Sequence, residues 1–295
     1  MTKTKIDSEI TDLTGVDFFV QVGEKTRMDS QPNRALVSKW DFSRRIRKFW
    51  SKAVPMTFED KPMGYEEKRK FRYDLQDYMQ EVFRFDAFVG KRVLEIGSGA
   101  GIDSAEFIRG GAETVSMDFS LLAVRSTKLL LKEGGLDGDV VLADARHLPL
   151  RDSQFDLVYS FGVIHHVPDV AGVLCEVGRV LRRNGLFTGM VYNRDSLLYA
   201  YSIMYLHGIR KGLIAQGLSE IDVVSRFSER LTGNQYTRVY TRDEIAELLG
   251  RFFGHVLVDT YYNVIDMVGR RKVKFRIDTR QSDLGWHLVF KATKI

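Results

Sequence analysis

The fold of this 295-residue chain is decided by the stretch Val93-Leu94-Glu95-Ile96-Gly97-Ser98-Gly99-Ala100-Gly101. The first half is a short apolar run of the kind that forms a buried strand. The second half alternates glycine with small residues, which allows a tight turn and a close approach of the backbone to a ligand. The pattern predicts a strand, a glycine turn and a helix, and the free amides at the start of that helix suit an anionic group.

Apolar runs and helical stretches alternate downstream of this turn. Strands are predicted at 92–96, 114–117, 140–142, 157–161, 186–191, 255–261 and 286–291, and helices at 121–132, 170–183 and 241–249. This alternation indicates a parallel sheet covered on both faces. Right-handed crossovers then give a doubly wound α/β fold with a mostly parallel, seven-stranded sheet, whose ligand lies at the carboxyl ends of the strands.

The chain divides by pattern into two parts. Residues 1–88 contain much helical pattern and little strand pattern, which predicts a helical N-terminal extension ahead of a main domain at 89–295. The extension includes a predicted helix at 65–85 with one apolar stripe. After the fifth strand the alternation stops, which predicts a helical insertion at about 193–237. Such an insertion is expected to overhang the ends of the strands.

Two basic segments have several interpretations. The predicted helix at 42–50 mixes aromatic and basic side chains. It fits a lid over the substrate, a membrane-surface anchor or an ordinary packed helix with a solvated basic face. The basic run at 270–274 is typical of a solvated hairpin, although it is also compatible with phosphate contact.

Composition sets broad limits on function. The chain has 44 Lys and Arg against 39 Asp and Glu, a net charge of +5, which permits anionic partners without indicating a nucleic-acid-coating protein. The single cysteine, Cys175, excludes an internal disulfide and is expected to be an inert core residue. No stretch reaches the roughly 20 apolar residues that cross a bilayer. A cytoplasmic location is the expectation.

Acidic residues follow the next two strands. A dinucleotide site would require a third glycine three residues after Gly99, but Ile102 stands there. Asp118 instead ends the second strand and Asp144 follows the third. Because the carboxyl ends of parallel strands meet at one edge of the sheet, both acids are expected near the glycine turn.

The stretch at 93–101 resembles motif I of the class I S-adenosylmethionine-dependent methyltransferases, and the chain is similar to the small-molecule members of methyltransferase type 11. Asp118, Asp144 and the run at 163–169 match later positions of that pattern in the correct order. The resemblance covers residues 88–192 well. It implies a Rossmann-like fold, S-adenosylmethionine as cofactor, and methyl transfer by in-line displacement to the oxygen, nitrogen or carbon of a small acceptor such as a metabolite, lipid or peptide.

The resemblance also implies roles at the strand ends. The glycine turn would pass under the methionine portion of the cofactor, Asp118 would hold the ribose hydroxyls, and Asp144 would accept from the adenine amine. Three alternatives stay open: Asp118 as a helix cap, Asp144 paired with Arg146, and Phe119 packed in the core. The implied cofactor-binding residues are Glu95, Gly97, Ser98, Gly99, Gly101, Asp118, Phe119, Asp144, Ala145, Ser160 and Phe161.

Two adjacent histidines follow the fourth strand. An imidazole near the transferred methyl group can remove a proton from the acceptor at neutral pH, which makes His166, and secondarily His165, the candidate catalytic residues. Either ring can instead fix its loop through a backbone hydrogen bond. No third ligand has a suggestive spacing, so no metal is predicted.

Candidate substrate residues lie later in the chain. Tyr192, Tyr236 and Tyr240 are predicted pocket walls, and Arg238 is a candidate clamp for a carboxylate or phosphate. The alternative for Arg238 is a structural role in the insertion.

Two rival functions remain at this point. One is an RNA or protein methyltransferase that uses the basic segments, and the other is a non-catalytic S-adenosylmethionine-binding regulator. The run Ser160-Phe161-Gly162-Val163 stands where enzymes that methylate base amines carry Asn/Asp-Pro-Pro-aromatic, so nucleic acid is disfavoured. Peripheral membrane contact stays compatible with the helix at 42–50.

Overall fold

The computed structural model describes residues 45–46, 48–52, 63–229, 234, 236–262 and 283–295. Predictions for residues 1–44 and for the basic run at 270–274 lie outside the described residues. Of the predicted helix at 42–50, residues 45–46 and 48–50 are helical.

A single seven-stranded sheet forms the centre of the fold. Its strands are β1 Arg92–Ile96, β2 Glu113–Asp118, β3 Asp139–Leu142, β4 Phe155–Phe161, β5 Leu181–Tyr192, β6 Gly254–Tyr261 and β7 His287–Thr293. The spatial order is β3-β2-β1-β4-β5-β7-β6. Strands β1 to β5 are parallel, and β7 runs antiparallel to both β5 and β6. The predicted doubly wound, mostly parallel sheet is confirmed, and its switch point lies between β1 and β4.

Helices cover both faces of the sheet. They are α1 Tyr65–Leu75, α2 Met79–Phe83, α3 Ile102–Arg109, α4 Leu121–Glu133, α5 Val170–Val180, α6 Glu220–Phe227 and α7 Arg242–Gly250. Short 3₁₀ turns occupy Phe85–Phe88 and Ile164–His166, and a π-helix spans Leu198–Arg210. The π-helix and α6 lie in the segment between β5 and α7, where the sequence predicts a helical insertion.

Side-chain caps begin four of these helices, α4 to α7. Ser120 accepts a hydrogen bond from the amide of Ala123 at 3.3 Å and starts α4 directly after β2. Thr241 and Glu244 form the predicted capping box of α7, with donor–acceptor distances of 3.1 and 2.9 Å. Because the Ser120 cap follows its strand end at once, the N-terminus of α4 lies at the carboxyl edge of the sheet.

The core has two parts because neighbouring residues of a strand point to opposite faces. Leu94 packs in the cluster formed with α5 and α7, and Val93 packs in the cluster formed with α1 to α4. Both side chains are fully buried. Burying an aliphatic side chain of this size stabilises the fold by roughly 1.5–3 kcal/mol.

Two predicted helices end earlier than expected. The helix predicted at 65–85 breaks after Leu75, because the chain turns there to bury Tyr78 and Met79. The helix predicted at 170–183 ends at Val180, because Leu181 is extended and pairs with β4.

The prediction that Cys175 is a core residue is wrong. The side chain of Cys175 is exposed on α5. The buried stripe of this helix runs through Val173, Leu174, Val177 and Val180, and position 175 lies outside that stripe.

A buried carboxylate attaches α1 to the α/β domain. Asp103 on α3 accepts hydrogen bonds from Arg72 Nη2 at 2.7 Å and from Tyr73 Oη at 2.9 Å. Tyr159 of β4 donates to the same carboxylate at 2.9 Å. The network joins one helix of the N-terminal extension to the wall of the sheet.

Among the helices of the described residues, none has the length and apolar character that crossing a bilayer requires.

Removing the Asp103 carboxylate is expected to destabilise the fold strongly. Asp103→Ala leaves the buried Arg72 guanidinium without its counter-ion, so the free energy of unfolding is expected to fall by about 3–5 kcal/mol in urea denaturation. Asp74→Ala is the matched control. It removes an exposed partner of Lys70 and is expected to cost less than about 1 kcal/mol. Equal losses in the two variants would contradict the anchoring role of Asp103.

Candidate active site

One cavity of about 920 Å³ opens where β1, β2 and β4 end. It brings together most of the site residues predicted from the sequence: Glu95, Gly97, Ser98, Gly99, Asp118, Phe119, Asp144, Ala145, Phe161, His166 and Tyr192. Six other predicted residues do not line it: Gly101, Ser160, His165, Tyr236, Arg238 and Tyr240. The strand-end geometry therefore gathers side chains that lie far apart in the sequence.

In the turn after β1, the space around Gly97 differs from the space around Gly99. Gly97 adopts a φ of +84°, and a Cβ atom there would lie 2.2 Å from Cγ2 of Val163. Gly99 adopts a φ of +54°, and a Cβ atom there would meet no atom of the described residues within 4 Å. Gly97 thus allows two loops to touch, whereas Gly99 keeps the backbone open toward the cavity. This open cradle fits a bound methionyl group.

The third glycine of the motif has a packing role. A Cβ atom on Gly101 would lie 2.8 Å from Cα of Thr127, so Gly101 permits α4 to approach the start of α3. Gly101 is absent from the cavity lining, and its contact with the cofactor stays a prediction.

Asp118 fixes the geometry of the turn. Its carboxylate accepts hydrogen bonds from the amides of Gly99 at 3.1 Å and Ser120 at 2.9 Å. Burial raises the pKa of Asp118, while these backbone hydrogen bonds act in the opposite direction. The carboxylate is mostly buried and lines the cavity. It stands where it can also accept hydrogen bonds from vicinal hydroxyls.

Glu95 presents a second buried carboxylate. The Ser104 hydroxyl donates to it, and Ser104 in turn accepts from Ser116 at 2.7 Å. Burial, followed by the negative charge of Asp103, raises the pKa of Glu95 well above its ordinary value. A cationic ligand group would favour the ionised form of this carboxylate, which makes Glu95 a suitable partner for an ammonium.

Asp144 is paired with Arg146, which is the alternative stated for it in the sequence analysis. Its carboxylate accepts from Nη2 of Arg146 at 2.7 Å and from Nε at 3.0 Å. Both residues line the cavity, next to Ala145 and His147. The pair forms one wall of the cavity, and Arg146 is a lining residue that the prediction missed.

The two residues at the end of β4 that were predicted to contact the cofactor lie in different surroundings. Phe161 lines the cavity, and the guanidinium of Arg72 lies 4.6 Å above its ring. Ser160 is fully buried, and its hydroxyl donates to the carbonyl of Ile96 at 3.2 Å. Ser160 therefore joins β4 to β1 through its side chain, and its predicted backbone contact with the cofactor stays a prediction.

The two histidines have different environments. His165 is fully buried and does not line the cavity, and among the described residues neither ring nitrogen has a hydrogen-bond partner. Burial lowers the pKa of His165 well below its ordinary value, which favours the neutral ring. The structure thus does not bring this predicted catalytic residue into the cavity lining.

His166 lines the cavity and has polar contacts at both ring nitrogens. Its Nδ1 lies 3.0 Å from the Tyr236 carbonyl and 3.1 Å from Oγ1 of Thr237. Its Nε2 lies 3.3 Å from Oε1 of Glu229. The ring of Trp50 packs against it, with centroids 4.8 Å apart.

Glu229 and Tyr192 complete this end of the cavity. The Tyr192 hydroxyl donates to Oε1 of Glu229, and both residues line the cavity. Burial, followed by the negative charge of Glu229, raises the pKa of Tyr192 well above its ordinary value. The prediction missed Glu229, because a lone acid at the end of an insertion helix has no sequence signal.

Arg238 and Tyr240 lie outside the cavity. The exposed Arg238 guanidinium lies 4.8 Å above the Tyr240 ring, and that ring is fully buried in the core. The structural alternative for Arg238 is thus the observed one, and both substrate-binding predictions are corrected. Tyr236 contributes its carbonyl to His166 and is absent from the cavity lining.

The prediction also missed three lining residues from distant parts of the chain. Arg72 of α1 and Gln76, which follows the end of α1, line the cavity four residues apart. His287, at the start of β7, lines it as well, and its Nδ1 lies 2.7 Å from the Tyr78 hydroxyl. Helical spacing places Arg72 and Gln76 on one face, but nothing in the sequence identifies what that face contacts.

Three potential metal ligands lie together at this end of the cavity in the part of the chain that the structure describes. His165, His166 and Glu229 offer ligand atoms within 4.8 Å of one another. Glu229 is the third possible ligand, which no spacing in the sequence indicated.

Comparison with known proteins connects this geometry to a family. A methyltransferase domain model matches residues 94–188. The chain is 30% identical over 210 residues to a ubiquinone biosynthesis O-methyltransferase of Aromatoleum aromaticum, covering 71% of this chain and 82% of the relative. Relatives of that name from Ruegeria and Bradyrhizobium are 28% and 32% identical, and the chain spans 59% and 45% of their lengths.

Solved structures share the fold. A SAM-dependent methyltransferase from Thermotoga maritima superposes with a TM-score of 0.55 at 18% identity, covering 85% of this chain and 100% of that one. Another, from Methanosarcina mazei, gives 0.52 at 21% identity, covering 72% and 97%. Together with the sequence match to the Aromatoleum protein, this agreement establishes that the chain belongs to the class I S-adenosylmethionine-dependent methyltransferases.

Proposed function

We propose that this chain transfers the methyl group of S-adenosylmethionine to a hydroxyl oxygen of a small aromatic acceptor. One observation carries the proposal: the glycine turn with Asp118 and the polar group of His166 and Glu229 line the same cavity. The relatives named as O-methyltransferases support oxygen as the acceptor atom.

On the cofactor side, the proposed contacts follow the strand ends. Gly97, Ser98 and Gly99 bind the methionine portion, and Glu95 faces its ammonium. Asp118 accepts from the ribose hydroxyls. Phe119, Asp144 and Ala145 surround the adenine. When bound, S-adenosylmethionine supplies an electrophilic methyl group whose bond to sulfur breaks with its electron pair passing to sulfur.

On the acceptor side, aromatic rings dominate the wall. Trp50, Phe161, Tyr192 and His287 line the cavity. Flat rings of this kind pack favourably against another aromatic ring. The protein's main task is to align the acceptor oxygen with the methyl carbon and to exclude water. His166 is the proposed base that takes the hydroxyl proton.

The proposed division of the chain keeps residues 1–88 as an extension of the domain at 89–295. Arg72 and Gln76 belong to this extension and line the cavity, so the extension forms part of the active site. The proposed compartment is the cytoplasm, which agrees with the single cysteine of the sequence.

Asp118→Ala is expected to weaken S-adenosylhomocysteine binding by about 1–3 kcal/mol, because the ribose hydroxyls lose their acceptor. Isothermal titration calorimetry measures this loss. Asp137→Ala, at an exposed position before β3, is the control and should retain wild-type affinity. Unchanged affinity in Asp118→Ala would remove its ribose assignment.

His166→Asn is expected to lower turnover of a phenolic acceptor by roughly a hundredfold or more, because the hydroxyl proton loses its acceptor. Cofactor affinity should change little. His255→Asn, on the exposed side of β6, should turn over normally. Near-normal turnover by His166→Asn across the pH range would exclude His166 as the base.

A further inference from the structure

His287 lies in the wall of the cavity, at the start of β7. It pairs with Tyr192 at the end of β5. In the sheet, β7 lies three strands away from β1, whose glycine turn is the proposed cradle of the cofactor. At roughly 4.8 Å per strand, this separation is about 14 Å. His287 is therefore on the acceptor side of the proposed active site.

The hydroxyl of Tyr78 occupies one nitrogen of the His287 ring. Nδ1 of His287 lies 2.7 Å from this hydroxyl, and both side chains are buried. The hydroxyl has no other hydrogen-bond partner among the described residues. If Nδ1 carried a proton, the hydroxyl would accept it and would bury its own proton without an acceptor, which is costly. The hydroxyl therefore donates to Nδ1.

This hydrogen bond fixes the tautomer of His287. A neutral imidazole carries one proton, so the proton lies on Nε2 when Nδ1 acts as the acceptor. Burial, followed by the positive charge of Arg72, lowers the pKa of His287 well below its ordinary value, which favours this neutral form. His287 is thus a hydrogen-bond donor through Nε2, and it offers no base.

The side of the ring that carries Nε2 is the side left for a ligand. The Tyr262 ring stacks on His287, with centroids 4.5 Å apart and planes 15° apart. The Phe161 ring meets it edge-on, with centroids 5.6 Å apart. Nε2 itself has no hydrogen-bond partner among the described residues. Because His287 lines the cavity, this N–H group is suited to an oxygen of a bound molecule.

The charges near His287 indicate which kind of oxygen fits. The guanidinium of Arg72 lies 4.6 Å above the Phe161 ring, and that ring also contacts His287. Asp103 pairs with Arg72 at 2.7 Å and balances its charge. A neutral N–H donor beside a balanced ion pair suits a polarised but uncharged oxygen that only accepts hydrogen bonds. A carbonyl oxygen has this character.

We propose that His287 donates a hydrogen bond from Nε2 to a carbonyl oxygen of the acceptor, so that the enzyme prefers hydroxylated aromatic ketones and aldehydes. This inference rests on the proposed function and names its substrate class. The carbonyl takes no part in the methyl transfer. Its hydrogen bond to His287 orients the aromatic ring and thereby places the reacting hydroxyl.

The test compares acceptors that differ in the carbonyl group. Each of the three hydroxyacetophenones is paired with the ethylphenol of the same substitution pattern. His287→Phe keeps an aromatic ring without a donor, and the amide nitrogen of His287→Gln can take the place of Nε2. His255→Phe, at an exposed position of β6, is the matched control. S-adenosylhomocysteine affinity and melting temperature are recorded for each variant.

In the wild type, kcat/KM for at least one hydroxyacetophenone should exceed that for its ethylphenol by about 10-fold or more, because a site built for a hydrogen bond rejects an analogue that lacks it. His287→Phe should lose this preference, and His287→Gln should recover most of it. His255→Phe should match the wild type. An unchanged preference in His287→Phe overturns the proposal.

His287→Phe also leaves the Tyr78 hydroxyl without its acceptor. Where the single variant unfolds, the double variant Tyr78→Phe/His287→Phe replaces it, because removing both partners leaves no unpaired group. The double variant should show the same loss of preference for the ketone. A preference equal to that of the wild type would count against the proposal in the same way.

Nitrogen-15 NMR of the wild type tests the tautomer without any acceptor. The signals of His287, assigned among the six histidines by comparison with His287→Gln, should show a neutral ring at pH 7 with its proton on Nε2. A proton on Nδ1 instead would overturn the proposal, since Nε2 could then not donate.

Binding measurements separate this inference from the function beneath it. If the wild type methylates none of these compounds, the proposed function fails for them, whereas calorimetry on the S-adenosylhomocysteine complex still tests the hydrogen bond. The complex should bind a hydroxyacetophenone more tightly than its ethylphenol, and His287→Phe should lose the difference. Equal binding within every pair overturns the inference. So does a matching loss of S-adenosylhomocysteine affinity in His287→Phe, because His287 would then contact the cofactor.

Discussion

The active site depends on the contact between two loops, and Gly97 permits that contact. Because a single Cβ atom there would overlap Val163, the turn after β1 and the loop after β4 can meet only through a glycine. The amide of Gly99 then reaches Asp118 at the end of β2. The ends of β1, β2 and β4 therefore form one wall, and the cavity lies above it. The chemistry of the cavity depends on the short distances between these strand ends.

The acceptor end of the cavity has a different origin. The turn after β4 supplies His166, but its polar neighbours come from the insertion, and His287 comes from the antiparallel strand β7. In the proposed function, the ends of the parallel strands hold the methyl donor, and these other segments form the surface that the acceptor meets. This separation agrees with the general observation that function resides in sites built upon folds.

The sequence predicted the sheet and most of the cavity lining at the strand ends, because both obey local rules. Apolar runs, glycines and acids at strand ends are read from consecutive residues, and Asp118 lies where its pattern places it. The sequence did not predict Glu229, Arg72 and His287, because only tertiary packing brings these residues to the cavity. Tyr240 failed for the converse reason: an aromatic residue near a pocket was buried in the core instead.

The position of β7 has a consequence for how the cavity is completed. This strand lies between β5 and β6, although it follows both in the sequence. It pairs with β5 through residues that are far apart in the sequence, such as Tyr192 and His287. The start of β7 also delivers His287 to the cavity. The same long-range pairing therefore closes the sheet and completes this wall of the cavity.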